Sequence, residues 1–294
     1  MSFKKYIKAV GTGPKGNREL EESEVIDAIE AILENRVTQA QIGAFLIGWR
    51  TKLETDGELT AAVKALKKYM KFSKVENSLE LGYSFDGRVN NPFLFPLYEE
   101  ILKNFHEKNK DITPLHLVIS GDLVQPAKNG LTTKEIFDSL DVGQYVHYFD
   151  RVEYLKELSL LTPLRHELGL RTVFNTVEKL LNPGLSEYGV TTAFHDPYVK
   201  KYLTMFKEYC KEVLVVKAAE GSPEVFGNGK YWKEVDGEIT EVSFSLNDFG
   251  ITYDKTYEDI SLEEALEIVK NPSDEVLKLA KFNIALYLVF ASRV

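Results

Sequence analysis

Lys64, Lys67, Lys68 and Lys71 recur at i, i+3, i+4 and i+7, with Lys74 just beyond them. On a helix this spacing gathers four ammonium groups on one face. Like charges so placed repel one another. The stripe is therefore either a solvated face or a track for phosphates, and as a track it is the best local argument for a polyanion partner. A second cationic group, Lys4, Lys5, Lys8, Lys15 and Arg18, lies in residues 2–19, SFKKYIKAVGTGPKGNRE. Gly11, Gly13 and Gly16 there invite a phosphate-loop reading. A phosphate loop needs a preceding buried strand and a Lys-Ser/Thr pair opening a helix, and neither is present. The stretch reads as a flexible arm, with a mobile cationic contact as the alternative. His106, His116 and His147 show no metal-ligand spacing and read as ordinary surface or core residues. His195 is expected to fix the turn His195-Asp196-Pro197-Tyr198 by a hydrogen bond. No Ser/His/Asp or Cys/His arrangement stands out.

Composition bounds what such groups can serve. The 294 residues fit one or two domains and can bury a sizeable core. A formal net charge of −9 disfavours a nucleic-acid partner globally, although a local basic patch can outweigh the sum. Cys210 stands alone, so no intrachain disulfide exists, which fits a reducing compartment. The N-terminus lacks an apolar signal core, and the apolar run at 284–291 is too short to span a bilayer. The sequence reads as cytoplasmic, without a membrane partner.

Helices are expected at 21–35, from Thr38 onward, and at 58–72. Thr38 with Gln41 forms a capping box, and Ile42, Phe45, Leu46 and Trp49 give the buried stripe. Gly43 and Gly48 imply close helix–helix approach. From residue 78 the pattern changes to α/β. Strands are expected at 79–83, 115–120, 188–194 and 213–217, with a hairpin turning at Asp236-Gly237. Asn91 is expected to cap a helix opened by Pro92 and running to about residue 105. Further helices are expected at 132–140, at 163–168 stopped by Gly169, from Thr172 to before Asn182-Pro183-Gly184, and at 282–290. Arg88 and the helix start near Asn91 could hold an anion.

The stretch LGLRTVFNTVEKLLNP, followed by a strand and HDPY, resembles the hinge-and-dimer segment of the anthranilate phosphoribosyltransferase and pyrimidine-nucleoside phosphorylase superfamily. TQAQIGAFLIGWRTKLET, NDFGI and FNIALYLVF resemble further segments of it, so the similarity covers nearly the whole chain. The resemblance implies a small all-helical domain beside a larger α/β domain with a central, mostly parallel sheet. The helical domain would take 1–74 plus 150–186, and the α/β domain 75–149 plus 187–294. It also implies a homodimer through the helical domain, with the Trp49 face as candidate interface.

Chemistry positions match less well. In catalytic members a GTGGD loop and an Asn-x-Ser-Thr motif hold the pyrophosphate of phosphoribosyl pyrophosphate. Here the loop is Gly82-Tyr83-Ser84-Phe85-Asp86-Gly87-Arg88, followed by Asn90-Asn91-Pro92-Phe93. Where those members carry Lys-His-Gly-Asn-Arg, only Gly121 survives, and Asp122 brings the opposite sign. The resemblance thus assigns Gly82, Asp86, Gly87, Arg88, Asn91 and Gly121 to a phosphate or anion site. Arg165 falls where the transferases place an arginine for the substrate carboxylate, and a structural role is its alternative. Pro223-Glu224 replaces the magnesium-binding Asp-Glu pair, with Glu220 able to compensate.

The GxGxxGxRxL arm, the VEKLLNP variant and the Glu220-Gly221 turn are similar to a paralogous branch that keeps fold and dimer, lacks the transferase reaction and binds nucleic acid. Two readings follow. In the first, the chain binds DNA, RNA or another polyanion through Lys64, Lys67, Lys68, Lys71, Lys74, the arm cations including Lys15 and Arg18, and Arg88, without a cofactor. In the second, it is an active pentosyltransferase or phosphorylase with a rebuilt phosphate loop, using Arg165, Arg88 and magnesium at Glu220 and Glu224.

Overall fold

The computed structural model describes residues 2–83, 87–126, 129–140, 143–217 and 219–293. The chain opens with four helices: α1 Lys4–Gly11, α2 Glu22–Leu33, α3 Gln39–Lys52 and α4 Asp56–Lys67. Capping boxes start three of them, at Glu21/Glu24, Thr38/Gln41 and Thr55/Glu58, each satisfying orphan N–H groups. The stretch expected to be a flexible arm instead contains α1. Phe3, Tyr6, Ala9 and Val10 are buried, and the Phe3 ring meets Phe45 of α3 edge-on at 5.4 Å. Gly48 permits the approach, because a Cβ there would lie 3.1 Å from the Val10 side chain. Trp49 is 0 % exposed and packs on Phe45 at 5.2 Å. The face expected at a dimer interface is thus inside the chain's own core.

The fourth helix stops at Lys67 rather than 72. Its continuation finds better partners elsewhere: the Lys71 N–H donates to Tyr154 O at 2.8 Å, Ser73 to Pro183 O at 3.1 Å and Val75 to Gly184 O at 2.9 Å. Lys71 and Lys74 therefore leave the helical stripe, and the chain crosses to the second layer.

The chain continues as β1 Ser78–Leu81, α5 Phe95–Lys108, β2 His116–Gly121, α6 Thr133–Asp138, β3 Val146–Asp150, α7 Arg151–Tyr154, α8 Lys156–Ser159, α9 Thr162–Leu168 and α10 Val173–Val177, of which α7, α8 and α10 bury Tyr154, Leu158, Val173 and Phe174 in the core of the helical layer. It ends with β4 Tyr188–Thr192, α11 Pro197–Phe206, β5 Glu212–Val216, β6 Gly229–Val235, β7 Glu238–Phe244, α12 Leu262–Lys270 and α13 Asp274–Phe290. The seven strands form one sheet in the order β3-β2-β1-β4-β5-β6-β7. The first five pair parallel and the last two antiparallel. Asp236 and Gly237 both take positive φ, 52° and 85°, which fits the two-residue turn between β6 and β7. Gly169 closes α9 in the left-handed region at φ 64°.

Alternation along the parallel strands divides the core. Leu79, Leu81, Leu117, Ile119, Val190 and Leu214 face α5 and α13. Val213 and Val215 join a cluster with Phe206, Leu66 and Phe45, so the helical layer and one face of the sheet share a continuous core. Among the described residues no helix is long and apolar enough to cross a membrane.

Candidate functional site

Two loops leave the C-terminal end of the sheet, where open α/β folds place ligands. The loop after β1 is rigidly seated at both ends. The Gly82 N–H donates to Val190 O at 2.7 Å, and a Cβ at Gly82 would sit 2.5 Å from Lys179 O. Gly87 takes φ 72°, and a Cβ there would meet Asn129 O at 2.6 Å. Arg88 and Leu131 exchange backbone hydrogen bonds of 2.7 and 2.8 Å. Asp86 lies outside the described residues.

The Arg88 side chain points inward and is 2 % exposed. Its Nη1 donates to Glu224 Oε2 at 2.7 Å and to Pro92 O at 2.5 Å. The guanidinium lies over the Phe93 ring at 4.5 Å and the Phe226 ring at 5.1 Å. Glu224 is fully buried. Its Oε1 accepts from the Tyr83 hydroxyl at 2.6 Å and from the Leu94 N–H at 2.9 Å. Burial, then the Glu224 charge, raise the Tyr83 phenol well above its ordinary value, which keeps it a donor.

Glu220 closes the neighbouring space. Its Oε1 accepts from the Val89 and Asn90 N–H groups, both at 2.8 Å, and its Oε2 accepts from Asn91 Nδ2 at 3.0 Å. Successive N–H groups converging on one point make a nest for an anion. Here the anion is a side chain of the same molecule. Asn91 is consequently not a helix cap; α5 starts four residues later, with Pro96 in its first turn.

Residues expected to hold an anion, Arg88 and Asn91, and those expected to hold a metal, Glu220 and Glu224, are thus brought together and pair with one another, with Arg88 Nη2 left buried without a hydrogen-bond partner. They do not fit a magnesium ion. Magnesium needs free carboxylate oxygens in near-octahedral array, whereas all four oxygens here already accept hydrogen bonds and an arginine stands against one of them.

A second buried network joins the two layers. Gly121 ends β2 where a Cβ would meet Thr133 Oγ1 at 2.3 Å and Tyr148 Oη at 2.4 Å. Asp122 accepts from Arg151 Nε at 2.6 Å, from Ser159 Oγ at 2.7 Å and from the Leu123 N–H at 2.7 Å. Arg151 also donates to Glu178. Glu178 in turn receives both terminal nitrogens of Arg165, at 3.0 and 2.8 Å. Arg165 is fully buried, so the candidate substrate-carboxylate ligand already holds a carboxylate. Sequence reading flagged the reversed charge at Asp122 but not its complement Arg151, because partners 29 residues apart carry no local signature. This network borders an open cleft of about 760 Å³, lined by its own Asp122 and Ser159 together with Leu123, Leu160, Pro163 and His166.

The cations of the expected phosphate track are dispersed. Lys64 pairs with Glu22, Lys68 with Glu30 at 2.7 Å and Lys74 with Glu76 at 2.7 Å. Arg18 makes a two-pronged pair with Glu24, at 2.6 and 2.8 Å. Lys67 turns inward: its Nζ donates to Leu181 O at 2.8 Å and lies over the Tyr209 ring at 4.4 Å. Burial lowers the Lys67 ammonium from its ordinary value. The same buried region pushes the Glu80 carboxyl up to about 8, chiefly through desolvation. Lys15 and Lys71 are exposed.

The helical bundle domain of the glycosyl transferase family matches residues 4–70. The a/b domain of the same family matches residues 133–291. An uncharacterized protein of Aquifex aeolicus is 30 % identical over 273 residues, covering 92 % of this chain and 85 % of that protein. An anthranilate phosphoribosyltransferase of Marinomonas sp. is 27 % identical over 296 residues, covering 93 % and 81 %. Among solved structures, anthranilate phosphoribosyltransferase of Thermus thermophilus aligns with a TM-score of 0.74 at 16 % identity, over 99 % of this chain and 89 % of that one. The Saccharomyces cerevisiae enzyme in complex with PRPP and Mg aligns with a TM-score of 0.77 at 14 % identity, over 99 % and 88 %. Those two likenesses concern the fold.

Proposed function

The chain belongs to the glycosyl transferase family whose helical bundle and a/b domains it carries, and from that premise we propose that it is an anthranilate-phosphoribosyltransferase-like protein that does not take phosphoribosyl pyrophosphate as donor and acts by binding. The observation that carries this reading is Glu220 seated in the nest of Val89, Asn90 and Asn91. A diphosphate entering there must first eject that carboxylate, and would then face both Glu220 and Glu224. Two unit charges 4 Å apart near a protein surface repel by about 4 kcal/mol at an effective dielectric constant of 20. The cation nearest to hand, Arg88, is committed to Glu224. Calorimetry with phosphoribosyl pyrophosphate, with and without magnesium, is the test. No saturable heat is expected, and magnesium-dependent binding overturns the proposal.

What the protein binds instead is read from its cations. Lys64, Lys68, Lys74 and Arg18 sit in exposed or half-exposed ion pairs, which solvent and salt screen, so phosphates of a nucleic acid or another polyanion can replace their glutamates at little cost. Lys15 and Lys71 add exposed charge. Binding to single- or double-stranded DNA or to RNA is expected at low salt and should weaken steeply as salt rises. A gel or filter assay without any shift at low salt removes this part of the reading and leaves the closed donor site untouched.

A further inference from the structure

The sheet ends on two edge strands, β3 and β7, and they differ. β3 is five residues long, and Glu99 accepts from its Val146 N–H at 2.8 Å. β7 is seven residues long, and none of them is buried. Natural sheets blunt such an edge with lysine, proline, a bulge or a covering element. The β7 sequence EITEVSF has no lysine, arginine or proline, and its register with β6 runs unbroken from Val235↔Glu238 to Gly229↔Phe244. We propose that β7 is a docking edge for one extended, cationic segment of a partner protein, which joins the sheet as a further strand.

Hairpin geometry decides which backbone groups are on offer. The two-residue turn makes Val235 and Glu238 a hydrogen-bonded pair, and the alternation continues through Lys233↔Thr240, Tyr231↔Val242 and Gly229↔Phe244. The far side of β6 agrees, because the Lys230 C=O faces β5 and accepts from the Lys217 N–H at 2.8 Å. Ile239, Glu241 and Ser243 therefore turn their N–H and C=O groups away from β6. They form a row about 14 Å long at about 3.4 Å per residue. Only another extended backbone can pair with such a row, which is the basis of recognition by strand addition.

Side chains select the occupant. The ion pairs of this hairpin use Glu234 and Glu241 and leave the exposed Asp236 and Glu238 unpaired among the described residues. Glu241 Oε2 accepts from Lys230 Nζ at 2.9 Å and Trp232 Nε1 at 2.7 Å, which leaves Oε1 open on a side chain 46 % exposed. Lys230 and Lys233 stand one strand further in, on β6, so the outermost strand carries acids alone. Its other asset is apolar. Val242 is 36 % and Phe249 61 % exposed, and Phe249 meets Phe282 edge-on at 5.1 Å, which in turn meets Phe244 at 5.7 Å. A strand alternating lysine with valine lays its lysines on the Glu241 face and its valines over Val242 towards Phe249. A second copy of the chain is a poorer occupant, since it would set the same glutamates against these and carries a net charge of −9.

The probe is an acetylated and amidated peptide of alternating lysine and valine, long enough to pair with all of β7. It is titrated into the full chain at low salt by fluorescence polarisation, with amide hydrogen exchange of the protein as a second readout. Saturable binding and slowed exchange at Ile239, Glu241 and Ser243 are expected. The same peptide with every backbone nitrogen methylated keeps its charges but donates no hydrogen bond, and should bind about tenfold or more weakly. Ser243→Pro removes one outward N–H without touching the ladder to β6 and should weaken binding similarly. Glu238→Lys should weaken it several-fold and flatten its salt dependence, while Gly57→Ala, in the helical layer, should change nothing. If circular dichroism shows that Ser243→Pro does not fold, the methylated peptide on the parent chain keeps the test decisive. Equal binding of both peptides, or no saturable binding, overturns the proposal. So does self-association that protects the same three amides, which would give the edge to a second copy. None of these outcomes depends on the donor-site or polyanion readings.

Discussion

Glu224→Gln is the most informative single change. It keeps the side-chain shape and an oxygen that can still accept from Tyr83 and Leu94, but it removes the charge facing Arg88. Arg88 is then a buried cation without a counter-charge, on an aromatic floor of Phe93 and Phe226. Breaking one side of a buried ion pair costs about 3–5 kcal/mol, about a fifth or more of the roughly 5–15 kcal/mol that keeps a domain folded. Replacing both partners is a different perturbation, because no uncompensated charge remains. Arg88→Met combined with Glu224→Gln should recover much of the loss, since neither side of the pair then carries a buried charge. Urea unfolding followed through Trp49 and Trp232 fluorescence gives the four corners of a double-mutant cycle, with a coupling of at least about 2 kcal/mol expected. If Glu224→Gln costs less than about 1 kcal/mol, or if the two changes simply add, the pair is not what closes this site.

Other consequences are equally direct. Glu220→Ala leaves the Val89 and Asn90 N–H groups without their acceptor, a loss of about 1–3 kcal/mol; inorganic phosphate should then raise the melting temperature of the variant more than that of the parent chain, and equal shifts refute the nest. Glu80 is pushed up from 4.5 to about 8, so its contribution to stability is fully present below the unfolded value and is lost as pH rises through 8. Glu80→Gln should therefore flatten the pH dependence of the urea midpoint between 5 and 8 and gain at most about 3 kcal/mol at pH 7; a parallel profile in both proteins contradicts the burial argument. Gly82→Ala drives a Cβ onto the Lys179 carbonyl and should cost about 3 kcal/mol or abolish soluble expression, whereas Gly57→Ala, which meets nothing within 4 Å, should be neutral or mildly stabilising by circular dichroism melts.

Local chemistry made much of the fold readable in advance. Thr38 with Gln41, Gly169 after α9, and Asp236-Gly237 between β6 and β7 each announce an element through its own terminus. Elements without such marks were not foreseen: β3, whose VHYFD mixes polar and apolar residues on a sheet edge, and α1, which is a helix because Tyr6 and Val10 have α3 to rest on. The end of α4 was misplaced for the same reason, since the acceptors that draw Lys71, Ser73 and Val75 out of helical geometry lie about 80 to 110 residues away.

Taken alone, the sequence determined the family likeness, the two-part α/β architecture and the suspicion attached to the loops after β1 and β2, because periodicity, caps and glycine punctuation act within a few residues. Tertiary structure alone decided what the charged residues do. Arg88 meets Glu224 across 136 positions, Glu220 reaches back 131 to Val89, and Arg151 bridges Asp122 to Glu178. A charge removed from water must find a counter-charge wherever the folded chain brings one, and that partner is fixed by the packing of whole elements, which no local spacing encodes.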